Sequence, residues 1–301
     1  MCASAPKPPL PESTNKSAYL AWIVVCIVWG TTYLAIRVAL ETVPPFLMAA
    51  CRWLAAGGVL VIVLILRGER LPGPRAWGPL ALLGVLLMGV GNGGVVWAEQ
   101  TVPSGLTAVL VAAIPFWMVG IERLMYGGDT VTRGRAAGLA LGFAGIVLLV
   151  WPELRLGAGR PFLVGVLATQ IACLGWAIGS SIARRRQHEE NVLAASAVQM
   201  VFAGLALAAA GLLHGEWHAL AFNARTSGAL AYLIVAGSIV GYSAYAYALK
   251  HLPVATVSLY AYVNPVIAVA LGTLTLGEPL SSRMIVAAAA VFMGVLLVRR
   301  G

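Results

Sequence analysis

With 301 residues, 60% of them hydrophobic and only 10% charged, the chain is too apolar for a water-soluble domain, where about a quarter of residues carry charge. Its formal net charge of +9 does not mark a nucleic-acid binder, because Lys and Arg punctuate apolar runs and do not gather on one soluble face. The four cysteines, Cys2, Cys26, Cys51 and Cys173, lie in the N-terminal tail or inside apolar runs, with neither metal-ligand pairing nor the spacing of a secreted disulfide framework.

Residues 1–18 form a polar, Pro-rich tail without a convincing small-residue cleavage site after it, so the first apolar segment reads as a retained span. A helix that crosses a hydrocarbon core of about 30 Å needs about 20 mostly apolar residues. Ten such runs follow in order, at 19–39, 45–66, 76–98, 103–126, 135–151, 162–183, 192–213, 227–249, 254–276 and 283–299. The fifth and tenth are the shortest, short enough to pack centrally with little tilt. The expected fold is an all-α integral membrane protein in a lipid bilayer.

Orientation follows from the basic residues, which cytoplasmic loops retain. With the N-terminus inside, 14 of the 20 Lys and Arg fall on the inner side and four, Arg155, Arg160, Arg225 and Arg283, on the outer side. Arg37 and Arg52 fall within spans. Both termini are therefore expected in the cytoplasm.

An offset of 150 residues aligns 91–149 with 241–299 without a gap, matching Pro103 with Pro253, Pro115 with Pro265, Gly91 with Gly241 and Gly127 with Gly277. An offset of 147 matches Trp29, Tyr33 and Arg37 with Trp176, Ser180 and Arg184. Each repeat holds five spans, an odd number, so the second enters the membrane upside down relative to the first. This divides the chain into a first five-helix repeat (19–151), a linker (152–161) and a second repeat (162–301). Inverted repeats are common in secondary transporters, whose substrate sits near the midplane between the halves.

The stretches WGTTYLAIR (29–37), PPFLMAACRWLAAG (44–57), GNGGVVWAEQTVPSG (91–105), AYVNPV (261–266) and LGEPLS (276–281) resemble the EamA-like branch of the drug/metabolite transporter superfamily, over nearly the whole chain. The resemblance implies ten helices around a central cavity in a bacterial-type inner membrane, and export of amino acids or related metabolites. It does not imply one substrate, since cavity residues vary across the family. A second-half Gly-Glu motif of the family is present as Gly277-Glu278, whereas the first half reads Gly127-Gly128-Asp129, with the acid shifted by one.

Ionisable groups inside a membrane are costly and tend to face a bundle interior or an aqueous cavity. Arg52 lies about 10 Å from the outer end of its span at 1.5 Å per residue. Glu99, near the outer end of the third span, is its natural partner; the two form a structural ion pair, or a gate or substrate-carboxylate site. Asn92 sits among Gly89, Gly91, Gly93 and Gly94, either bonded to a neighbouring helix or lining the cavity. Pro115 and Pro265 are hinges or static kinks. Tyr260 and Asn264 share one helical face, taken as a cavity face. Tyr19, Trp22, Trp53, Trp77, Tyr126, Trp151 and Tyr232 lie near span ends and go to the interfacial belt. Trp29, Tyr33, Trp117, Trp176, Tyr242, Tyr245 and Tyr260 lie deeper, as core or as an aromatic cavity wall. Gly138 and Gly142 have the spacing of a helix-packing motif, inside the protein or in a homodimer.

No cofactor or metal is expected: the chain lacks GxxxxGK[ST], HExxH and GxSxG, so neither nucleotide powering nor a membrane-embedded enzyme finds support. A nucleotide-sugar or phosphate-ester exchanger would want several deep cations, and Arg52 is one. The partner expected is a small organic molecule, handled by a monomer or a homodimer.

Overall fold

A computed structural model describes residues 12–127, 132–156, 159–186, 191–278 and 280–300. It contains ten helices: α1 (Glu12–Ala39), α2 (Pro45–Leu66), α3 (Pro74–Ala98), α4 (Ser104–Tyr126), α5 (Arg133–Leu156), α6 (Gly159–Arg186), α7 (Val192–Leu213), α8 (Ala224–His251), α9 in two pieces (Val254–Val257 and Tyr260–Leu276) and α10 (Ser282–Arg300). Seven of them, α1 to α4 and α6 to α8, are long and apolar enough to cross a membrane. The expected linker 152–161 is largely helix, because α5 continues to Leu156 and α6 begins at Gly159.

Local chemistry sets many of the boundaries. Pro44 is extended and Pro45 opens α2, where a missing N–H costs nothing. The Asn191 side chain accepts from the amides of Leu193 and Ala194 at the start of α7, and Asn223 with Thr226 forms a capping box on α8. Gly127 and Gly277 end α4 and α9 with φ of +63° and +65°, a left-handed turn that glycine enters without a Cβ clash.

Departures from regular helix recur in both halves. α3 widens to a π-helical stretch at Val85–Asn92, and α8 does so at Leu233–Val240. α4 breaks at Ala112 and Ala113, just ahead of Pro115 in the first turn of the following piece. α9 breaks at Ser258 and Leu259, while Pro265 lies inside the next piece. The matched prolines thus stand at different distances from their breaks.

The halves interleave. α2 packs on α7, α4 on α9 and α5 on α10, while α3 on α6 and α1 on α8, like α4 on α6 and α1 on α9, are pairs that exchange when the halves are swapped. Such a set of contacts is what a two-fold relation between the repeats requires. α1 is central. α5 and α10, by contrast, pack chiefly on each other and flank the bundle, because their glycines let the backbones touch: a Cβ on Gly294 would lie 2.6 Å from the Gly138 carbonyl and from the Gly142 nitrogen. The small-residue spacing therefore serves internal packing. Exposed hydrophobic side chains such as Ile62, Leu167 and Val235 face outward on the spans, as in a protein solvated by lipid.

Candidate functional site

Trp29, Thr32, Tyr33 and Ile36 recur at helical spacing on one face of α1 and look onto a cavity of about 60 Å³ between the halves. Six of the nine expected cavity residues line it: Trp29, Tyr33, Asn92, Trp176, Tyr260 and Asn264. Trp117, Tyr242 and Tyr245 do not. The Trp117 indole donates to Gln170 at 3.1 Å, the Tyr242 hydroxyl to Gln199 at 2.6 Å, and Tyr245 stands behind the wall with its hydroxyl 2.7 Å from that of Ser180.

The wall is an aromatic cluster held by directional contacts. The Trp29 ring meets Trp176 and Tyr260 edge-on, with centroids 5.4 and 5.1 Å away, and Tyr245 at 5.1 Å. The Trp29 indole N–H donates to the Gly237 carbonyl, 3.0 Å away in the π stretch of α8. Glycine is required beside each tryptophan: a Cβ on Gly241 would sit 2.5 Å from Trp29 Nε1, and one on Gly91 would sit 2.9 Å from the Trp176 ring. The two matched glycines thus seat the two matched tryptophans. The Asn264 amide donates to the carbonyls of Tyr260 and Cys26, 3.0 Å each, fastening α9 to α1.

Arg52 forms part of the cavity wall and is 2% exposed. Its Nε donates to Ser238 Oγ at 2.6 Å, its Nη1 reaches Asn92 Oδ1 at 3.4 Å, and its guanidinium lies 4.6 Å from the centre of the Trp53 ring. The expected ion pair with Glu99 does not form. Arg52 is level with Asn92, and Glu99 is seven residues further along α3, about 10 Å at the rise of a helix. Glu99 is fully buried and, among the described residues, neither of its carboxylate oxygens has a hydrogen-bond partner, while its backbone carbonyl accepts from the Arg37 guanidinium.

Trp53 was expected in the interfacial belt, yet it is 1% exposed, lines the cavity and donates to Asn92 Oδ1 at 3.1 Å. Its place in the chain gave only depth, and the buried acceptor on α3 decided the direction. Trp22 likewise turns inward, donating to the Val257 carbonyl at 3.1 Å. Tyr19, Trp77, Tyr126 and Tyr232 are exposed, as a belt requires; the Trp151 side chain lies outside the described residues. Sequence reasoning missed Ser238, whose signal was one hydroxyl in an otherwise apolar run.

Two sets of contacts tie helix ends together at the two faces. On the face bearing residues 40–44, 99–103 and 277–281, here the first face, the Glu278 carboxylate accepts from the Ser104 amide and hydroxyl (2.9 and 2.7 Å) and the Gly105 amide (3.0 Å), capping α4. Glu216 caps α2 from the amides of Phe46 (3.2 Å) and Leu47 (2.8 Å). On the second face Arg184 donates to the carbonyls of Leu249 (2.6 Å) and Lys250 (3.1 Å), and Arg185 pairs with Glu122 at 2.7 Å. Gly128 and Asp129 lie outside the described residues.

The sequence profile of the EamA-like transporter family matches residues 16–151 and again 163–300. The Escherichia coli (strain K12) protein named uncharacterized inner membrane transporter YedA is 39% identical, covering 93% of this chain and 90% of its own. A WAT1-related chloroplastic protein of Arabidopsis thaliana is 28% identical over 95% of this chain and 71% of its own. A solved crystal structure shares the fold with a TM-score of 0.68 at 19% identity, covering 94% of this chain and 97% of that one.

Proposed function

Because the chain belongs to the EamA-like transporter family, and is an inner-membrane transporter of that superfamily, we propose that it exports small organic metabolites such as amino acids by alternating access between two inverted repeats. The repeats are 19–151 and 162–301, both termini are cytoplasmic, and the first face is the outer one. The observation that carries this reading is the aromatic cavity at the interface of the halves, with Trp29 from one and Trp176 from the other at matched positions.

The cavity of about 60 Å³ is small beside the several hundred Å³ of ordinary ligand sites, so it must widen to take cargo. Cargo enters when one half rocks against the other. α4 and α9 bend at their breaks near Pro115 and Pro265, and the ties at one face part while those at the other hold. Trp29, Tyr33, Asn92, Trp176, Tyr260 and Asn264 line the path, and no cofactor takes part.

Purified protein in liposomes tests the reading with a panel of amino acids and nucleobases. Flux of at least one member above empty liposomes is expected, and none from folded protein overturns it. Trp29→Ala, which removes the central ring of the wall, lowers initial flux by about tenfold, and Asn264→Ala lowers it less, with folded protein retained. Normal flux in both variants overturns the assignment of the cavity.

A further inference from the structure

We infer that the cargo carries a carboxylate, which docks on Arg52 in the cavity, and an apolar or aromatic body, which lies against Trp29, Trp176 and Tyr260 once the wall moves. The inference rests on the transport reading and names the chemistry of its cargo.

A guanidinium stays charged at any physiological pH and is costly to bury without an opposite charge. Arg52 is 2% exposed, yet among the described residues every hydrogen-bond acceptor it has is neutral: the Ser238 hydroxyl and a long contact to the Asn92 amide oxygen. Nη2 has no acceptor at all in that set. Glycine at 237 leaves it space, since a Cβ there would lie 3.0 Å from Nη2. Glu99, the nearest carboxylate along α3, is two turns away from the level of Arg52 and makes no bond to it. The cation thus faces the cavity with donor capacity unspent.

The planar fork of arginine matches a carboxylate through two parallel N–H donors. A carboxylate group is also about what a space of 60 Å³ accepts before any wall moves. Phosphate fits less well, because a dianion leaves one charge uncompensated. The other arginines within the bundle, Arg37 and Arg184, are held at backbone carbonyls toward opposite ends. Beyond the guanidinium the wall is aromatic, so the remainder of the cargo is apolar enough to lie on indole and phenol rings.

The test is a titration of intrinsic tryptophan fluorescence in detergent-purified full-length protein, since three tryptophans line the cavity. The probes are 3-phenylpropionate, L-phenylalanine, phenethylamine and phenyl phosphate. Both carboxylates are expected to bind more tightly than phenethylamine by roughly ten- to hundredfold, the worth of a hydrogen bond to a charged group, and phenyl phosphate no more tightly than 3-phenylpropionate. Arg52→Gln, with its melting profile checked, should bring the carboxylates down to the level of the amine. If that variant does not fold, the ranking on the wild-type protein still decides. Phenethylamine bound as tightly as phenylalanine, or phenyl phosphate bound more tightly than 3-phenylpropionate, overturns the inference and leaves transport standing. Silence from every probe overturns the inference, and silence together with no flux in liposomes overturns both.

Discussion

The two faces of the molecule are built on the same backbone plan and tied by different chemistry. Arg37 at the end of α1 donates to the carbonyl of Glu99 at the end of α3; Arg184 at the end of α6 donates to the carbonyl of Leu249 at the end of α8. The offsets of 147 and 150 that match the halves carry one bond onto the other. Glu216 on the first face has its equivalent at Glu69 on the second by the same offset of 147. Glu216 caps α2 directly from two amides, whereas Glu69 is exposed and touches α7 only through Asn191, at 3.3 Å. Glu278 adds three more bonds to the first face, across the halves. The contrast teaches that the repeat supplies helix breaks and helix ends twice, while among the described residues the carboxylates that cap helix N-termini across the bundle, Glu216 and Glu278, lie on the first face.

Removing the caps breaks that comparison in a definite order. Glu278→Ala loses a carboxylate bonded to three donors at a helix N-terminus, worth roughly 2 kcal/mol to the closed first face, or about thirtyfold in population. The native Cys173 on the cavity wall reports it. In a background with Cys2, Cys26 and Cys51 replaced by Ala, a membrane-impermeant maleimide applied from the first-face side should label Cys173 much faster in the variant, and unchanged labelling would show that Glu278 does not hold this face. Glu216→Ala removes two amide caps and should raise labelling less, by about 1 kcal/mol. Glu69→Ala removes one long bond from an exposed side chain, worth no more than a few tenths of a kcal/mol, so labelling from the second-face side should stay within roughly twofold. Equal effects of Glu216→Ala and Glu69→Ala would erase the contrast.

The polar contacts at the cavity wall and behind it divide in the same way. By the 147 offset Arg52 corresponds to Gln199, and by the 150 offset Asn92 corresponds to Tyr242; Arg52 reaches Asn92 as Gln199 accepts from Tyr242. One contact is thus kept with its charge on one side only, which places the ionic end of the cavity toward the first repeat.

Apolar run length and the spacing of Pro and Gly made the ten helices legible without coordinates, since a bilayer fixes how many apolar residues a span needs. The matched glycines and prolines made the repeat legible, because a left-handed helix end or a seat for an indole tolerates few other residues. Trp29, Tyr33, Asn92, Trp176, Tyr260 and Asn264 could be read as lying at cavity depth. Depth is one coordinate along a helix. Which way Trp53 turns, why Tyr242 and Tyr245 stand behind the wall, and why Arg52 and Glu99 stay apart depend on rotation about that helix and on the level of its neighbour. Those are set by packing across the two halves, between residues some forty to two hundred positions apart, and only the tertiary structure decides them.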